Sequence, residues 1–334
     1  MAKVFSSKSS DKHFQNIDLL RIIAASAVVI FHTGAMLNSR GMDIKILEGL
    51  QSLLSSGVHL FFVISGFVIS SSLFSKKIHS SSRFIKSRIR RIFPLYVLLT
   101  SLTFLVFNIS HDYGISKIKF NWEELVTSLF LLSKIKGDSV PIIQQGWTLE
   151  YEMCFYLVIG VCLFLKKSGI AILVACAFLS LLSLVYSDTW FLLFVIGVLT
   201  SFFARKVSNC KSLFLYLAAI FFSIMSFLII CSRITLNSIG YGLFYALILF
   251  IAATSVQLSS TRLIILGQIS YATYLVQGLV IGAAYQIVPT MNNFNLLYYI
   301  LISTLILSTC LIIGYILNKY FDQKVSKKLR DHNW

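Results

Sequence analysis

Long apolar runs parted by short polar intervals set the pattern of this chain, and ten of them reach the roughly 17 to 25 residues a helix needs to cross a bilayer. They lie at about residues 17–37, 57–75, 92–110, 147–165, 169–187, 189–204, 211–231, 238–257, 263–287 and 296–318. The runs are rich in Leu, Ile, Phe and Val, and the whole sequence has only three prolines. That pattern fits helices, since membrane barrel strands show short, weak alternation instead. The predicted fold is all-α: a polytopic membrane helix bundle of about ten transmembrane helices, with residues 1–334 forming a single membrane domain without internal repeats.

The longest polar interval, about residues 111–146, contains one short apolar piece, LVTSLFLLS, with Trp122 beside it. It is too short to cross. A re-entrant or interfacial helix covering a cavity is expected there.

Composition agrees with this reading: 57% of the 334 residues are hydrophobic, 13% are charged and the mean hydropathy is +0.82. Ordinary soluble domains are much less apolar. The net charge of +16 does not point to nucleic acid, because spanning segments break up the basic residues and no soluble domain collects them. Their placement reports topology instead. Lys76 to Arg91, Lys166, Lys167, Arg205, Lys206, Lys211 and Arg262 fall on one side, together with the tails 1–16 and 319–334. Only Arg40, Lys45, Lys117, Lys119, Lys134, Lys136 and Arg233 fall on the other, partly balanced by acidic residues. Both termini are therefore expected in the cytoplasm. No cleavable signal peptide is expected, because residues 1–16 lead straight into a full-length span without a small-residue cleavage pattern.

Six cysteines, Cys154, Cys162, Cys176, Cys210, Cys231 and Cys310, are scattered without CxxC spacing and read as apolar packing residues. No metal site is expected either, as the histidines do not recur at i, i+4 with acidic neighbours.

The first candidate chemistry is Arg21 and His32, eleven residues apart in IDLLRIIAASAVVIFHTG. A helix carrying both points them along one face, about 16 Å apart in rise. Arg21 falls near the cytoplasmic end of the span and His32 near the outer end. Separately, a packed histidine and an arginine snorkelling to headgroups are ordinary; together on one face they mark a polar path.

A second group is WTLEYEMCFYL, residues 147–157. Trp147 is expected at the outer interface, as a belt anchor or as part of a site. Glu152, about a turn and a half inside, is expected at a depth similar to His32, able to orient an imidazole or accept hydrogen bonds from a sugar hydroxyl. Glu150 reads as a solvated rim residue. The third group, RFIKSRIRRIFPLY at residues 83–96, places Arg88, Arg90 and Arg91 just before Pro94, with the proline at a helix entrance. These arginines either only set topology or offer guanidinium forks to the phosphates of a donor such as a nucleotide-bearing thioester.

Taken in order, these strings resemble the acyltransferase-3 family of integral-membrane O-acyltransferases. The resemblance covers most of the chain: Arg21 and His32 in the arginine-ten-residues-histidine motif, then GVHLFFVISGF from Gly57 to Phe67. Phe84, Arg88, Arg91, Pro94 and Tyr96 follow the F-x-x-x-R-x-x-R-I-x-P-x-Y pattern. Trp147, Leu149, Glu152, Phe155 and Tyr156 resemble W-S-L-x-x-E-x-x-F-Y, and LGQISYATYLVQ, with Tyr271 and Gln277, resembles L-G-x-I-S-Y-x-x-Y-L-x-H. Each string alone is weak; five in order are specific. Gln277 stands where the family commonly has histidine, so no titrating imidazole acts there. The C-terminal esterase-like domain of many members is not expected. His13 and Asp18 also match the H-x-x-x-x-D signature of glycerolipid acyltransferases, but the other blocks of that family are not apparent.

The resemblance implies transfer of an acyl group, usually acetyl, from cytoplasmic acetyl-CoA to a hydroxyl of a lipid-linked glycan, with no permanently bound cofactor. His32 maps to the family's catalytic position, as general base or as carrier of an acyl-imidazole. Arg21 and Glu152 are implied beside it, Arg88 and Arg91 on the coenzyme A phosphates, and Trp147, Tyr156, Tyr271 and Gln277 as substrate contacts or structural support. The expected setting is a bacterial inner membrane and the expected acceptor a lipopolysaccharide O-antigen repeat unit, with exopolysaccharide, capsule or a small molecule as alternatives. A carrier or flippase for a lipid-linked glycan is the rival class, since buried ionisable residues also line transport paths; a non-catalytic scaffold is a third.

Overall fold

The structure, a computed structural model, describes residues 15–75, 80–133, 137, 140–165, 167–206, 229, 236–258, 260–290 and 293–331. Among the described residues all regular structure is helical. The helices are α1 Gln15–Ser39, α2 Glu48–Ser55, α3 Gly57–Phe74, α4 Ser81–Asp112, α5 Trp122–Leu129, α6 Gly146–Cys162, α7 Ser168–Val185, α8 Trp190–Lys206, α9 Ser238–Thr254, α10 Thr261–Ile287, α11 Leu296–Leu317 and α12 Gln323–Asp331.

Among the described residues six stretches are long and apolar enough to cross a membrane: α1, α2 with α3, α4, α6 with its last turn, α10, and α11 with its continuation; α7 and α9 are shorter apolar helices. Of the expected span at 211–231 only Ile229 is among the described residues. Residues 1–14 with His13, Lys76, Lys77, Lys134, Lys136, Lys166, Cys210 and Arg233 lie outside them. The expected basic tail begins as helix, for α11 runs through a π-helical turn, Asn318–Asp322, into α12. Pro94 stands inside the 32-residue α4, not at its entrance. Having no N–H, it removes one rung of that helix's hydrogen-bond ladder.

Apolar helices in lipid gain little from hydrophobicity, so close backbone packing must hold them. Glycine makes this possible at two crossings. A Cβ on Gly57 would lie 2.8 Å from the Ala24 carbonyl oxygen of α1. Between α3 and α8, a Cβ on Gly66 would overlap the Phe194 carbonyl oxygen, and one on Gly197 would overlap that of Val63. α1 runs parallel to α10 in fixed register. Asp18 sits where a Gly267 side chain would be, and past the far end Arg40 donates from Nε and Nη2 to the Val288 carbonyl at 2.9 and 2.6 Å.

The segment after α4 folds back along α4. Asn108 clamps Phe120 through a pair of bonds, at 2.8 and 3.0 Å. α5 starts at an Asn121–Glu124 capping box, a reciprocal pairing that satisfies two end donors. It descends with Trp122 on Phe104 and ends where Tyr96 donates to the Ser128 carbonyl at 2.8 Å. From Asn108 to Tyr96 is about 18 Å along α4. α6 begins near this same level: a Cβ on Gly146 would lie 2.8 Å from the Tyr96 hydroxyl, and one on Gly278 would lie 3.3 Å from Gln145 Oε1. Gly278 is nine residues, about 13 Å, short of the end of α10. Trp147 therefore lies deep in the bundle, which corrects its expected place at the outer interface.

Candidate active site

Arg21 and His32 both face the bundle interior from α1, and each lines its own cavity. The arginine cavity, about 70 Å³, is also walled by Ser65 of α3, Arg91 of α4, Thr148 and Glu152 of α6, and Tyr271 and Tyr274 of α10. The histidine cavity, about 230 Å³, is walled by Ser55, His59, Gln144, Gln145, Trp147, Trp190 and Tyr274. Val58 and Tyr274 line both, so the cavities lie back to back along α1.

Glu152 belongs with Arg21 and Arg91, one cavity away from His32. This departs from the depth expected of it, and the cause is the deep start of α6: six residues past Gly146 carry Glu152 about 9 Å further toward the Arg21 end. Its Oε1 accepts from Ser65 Oγ at 3.1 Å and from the Tyr156 hydroxyl. Arg21 pairs with Asp18, Nη1 to Oδ1 at 3.8 Å. Two guanidinium groups thus meet two carboxylates at this end, the pairing that charges in a membrane bundle require.

Arg88 and Arg91 part company. Arg91 reaches the cavity, whereas the Arg88 guanidinium lies over the rings of Phe84 and Tyr156, 5.3 and 5.4 Å from their centroids. Tyr271 lines the arginine cavity, and its hydroxyl donates to the Ile92 carbonyl at 2.9 Å, fixing α10 beside Arg91. Gln277 is fully buried away from both cavities and donates to the Tyr274 carbonyl at 2.8 Å. Glu150, expected as a solvated rim residue, is half-buried, and its Oε1 accepts from the Ser133 N–H at 3.2 Å. Among the described residues no group of His, Cys, Asp or Glu is arranged to hold a metal.

Several lining residues were not singled out from the sequence: His59, Gln144, Gln145, Trp190 and Tyr274. His59 and Tyr274 stand inside two of the recognised strings, and the glutamines immediately precede Gly146 and Trp147. Trp147 and Trp190 pack edge to face with centroids 5.0 Å apart. Asp188 holds Trp190 by accepting its backbone N–H at 3.1 Å and also accepts from the Tyr151 hydroxyl. Tyr274 exchanges a hydrogen bond with Thr148 at 3.1 Å.

The fold and site define a polytopic helical membrane protein with its polar chemistry gathered in two adjoining internal cavities. Residues 14–315 match a family model described as an acyltransferase domain, and the chain belongs to this acyltransferase-3 family. It is 34% identical over 131 residues to "Exopolysaccharide production protein ExoZ" of Rhizobium meliloti, covering 38% of this chain and 40% of that one. It is 30% identical over 178 residues to an "O-acetyl transferase" of Shigella phage Sf6, covering 51% and 52%. To "Nodulation protein 10" of Rhizobium leguminosarum it is 28% identical over 191 residues, covering 52% and 51%. The chain thus spans about half, or less, of the length of these curated relatives. No solved structure matches it.

Proposed function

We propose that the protein moves an acetyl group from cytoplasmic acetyl-CoA to a hydroxyl of a cell-surface glycan, a lipopolysaccharide O-antigen repeat unit, in a bacterial inner membrane. The observation that carries this reading is the pair of back-to-back cavities, one cationic and one holding an imidazole and an aromatic wall. The excess of Lys and Arg at the Arg21 end supports placing that end in the cytoplasm. The relatives named as an O-acetyl transferase and an exopolysaccharide production protein support the acyl group and the glycan class.

In this reading Arg91 and Arg21 receive the donor, their forks matching phosphate and thioester oxygens. Glu152 and Asp18 hold them in place until it arrives. Arg88 stiffens the site through Tyr156, the partner of Glu152. The acceptor enters the histidine cavity against Trp147. A nitrogen of neutral His32 takes the hydroxyl proton as that oxygen attacks the thioester carbonyl carbon. The new C–O bond forms, the C–S bond breaks, and the imidazolium returns the proton to the departing coenzyme A thiolate. In a two-step variant His32 itself carries the acetyl group before the hydroxyl displaces it.

The test is incubation of purified protein with radiolabelled acetyl-CoA and glycan extracted from producing cells. Label should enter the glycan as an ester, and His32→Ala should abolish this while leaving membrane insertion intact. A carrier or scaffold transfers no label, and normal acetylation by His32→Ala removes the central assignment.

A further inference from the structure

The histidine cavity holds a second imidazole that the proposed acyl transfer does not use. His59, at the start of α3, is 8% exposed and packs on Trp190 and Tyr241, with centroids 4.7 and 5.2 Å away. The two rings that hold it are themselves fixed: Asp188 holds Trp190, and Ser52 bonds the Tyr241 hydroxyl at 2.8 Å. Yet its buried Nδ1 meets no hydrogen-bond partner of acceptable geometry among the described residues. The Ser56 carbonyl one turn back lies near the ring but outside hydrogen-bond geometry for it, and it accepts the His59 and Leu60 backbone N–H groups at 2.9 and 3.4 Å.

A second such atom lies in the same wall. Gln145 is 4% exposed, lines the cavity, and its Oε1 is buried without a partner among the described residues. Leaving buried polar atoms unmatched is costly, and here two belong to residues that line one cavity, which points to what a small turn of either side chain would receive. An amide oxygen accepts, and a neutral imidazole nitrogen accepts or donates according to tautomer. Hydroxyl groups match both. Beside these atoms the Trp147–Trp190 pair offers an aromatic wall to an apolar C–H face. A ligand with hydroxyls along its edge and C–H bonds on its face is a sugar ring. The cavity, about 230 Å³, is smaller than the ~300–1,000 Å³ typical of drug-sized pockets, which suits one ring rather than an oligosaccharide.

We propose that His59 and Gln145 are the acceptor-recognition pair, each bonding a hydroxyl of a single pyranose ring on the Trp147–Trp190 wall while a further hydroxyl reaches His32. The role of His32 in this rests on the acyl-transfer reading above; the sugar site does not. The acceptor must then carry hydroxyls next to the acylated one, and specificity is set by their arrangement.

The test is quenching of tryptophan fluorescence in the purified full chain by the methyl glycosides of glucose, galactose, mannose and rhamnose, without donor. At least one should quench saturably, and His59→Ala and Gln145→Ala should each weaken that Kd by about tenfold, the loss of one hydrogen bond. His59→Asn, which restores a polar amide, should recover part of the affinity and guards against a folding defect in the alanine variant. The KM for acetyl-CoA should stay within about twofold of wild type. Wild-type protein that binds none of the four glycosides, or both alanine variants binding as wild type does, would overturn the proposal. Binding without acetylated product when labelled acetyl-CoA is added would sink the acyl-transfer reading and leave the sugar site standing.

Discussion

Gly197→Ala should damage the site through the helix crossing beneath it. The added Cβ would overlap the Val63 carbonyl oxygen and stand 2.9 Å from the Phe67 nitrogen, both backbone atoms of α3 that have no rotamer to change. α3 and α8 must then part by roughly 1 Å, and overpacking of this kind costs about 1–3 kcal/mol. The same movement carries Trp190 away from His59, 4.7 Å from it, and from Phe62, 5.6 Å from it. A misplacement near 1 Å can lower a rate about a hundredfold. The assay pairs thermal unfolding in detergent with acetyl transfer, using Gly169→Ala on α7 as the matched control, where a new Cβ meets nothing within 4 Å. Gly197→Ala should unfold several degrees lower and lose at least about tenfold in transfer, whereas the control keeps both. Equal behaviour of the two variants would refute the claim that the α3–α8 approach sets the cavity.

Tyr96→Phe removes the bond to the Ser128 carbonyl, worth about 1–2 kcal/mol, and should raise hydrogen exchange across Trp122–Leu129 by about tenfold; unchanged protection would mean that α5 is held otherwise. Arg88→Lys keeps the charge but loses the planar stack on Phe84 and Tyr156, so the KM for acetyl-CoA should rise severalfold; an unaltered dependence on donor concentration would count against it. Tyr274→Ala removes a side chain common to both cavities. It should increase release of free coenzyme A thiol in the absence of acceptor, and no increase would show that Tyr274 does not keep water from the donor.

Six of the spans were legible because their apolar runs are long enough to be nothing else, and the shared face of Arg21 and His32 followed from helical periodicity alone. Depth was not legible. An apolar segment headed by Trp147 has the signature of a span starting at an aromatic belt, and no local pattern distinguishes that from a helix whose start has been carried inward. The information lies in distant partners, Tyr96 on α4 and Gly278 on α10, which fix Gly146 and Gln145 below the far ends of both helices. Glu152 was misplaced for that reason alone, since its spacing from Trp147 was never in question. Glu150 escaped for a related one: its partner, the Ser133 N–H, belongs to the loop that brings α6 inward. His59 was hidden by its setting, for a histidine in GVHLFFVISGF reads as packing until Trp190 and Tyr241 are seen around it.

The inward start of α6 also bears on how the proposed reaction crosses a bilayer. A hydrocarbon core is about 30 Å thick, while reacting atoms must come within about 3–3.5 Å of each other. Had α6 opened at the far surface, donor and acceptor would have been separated by most of that thickness. With Gln145 about 13 Å below the end of α10, the acceptor can descend part of the way, and the donor need extend only from Arg91 past Thr148 to the wall formed by Val58 and Tyr274. The fold-back of α5 along α4 is what makes this possible, because it returns the chain to Tyr96 before α6 begins. Shortening the remaining gap in this way also removes any need for a continuous aqueous pore, which would expose the thioester to hydrolysis.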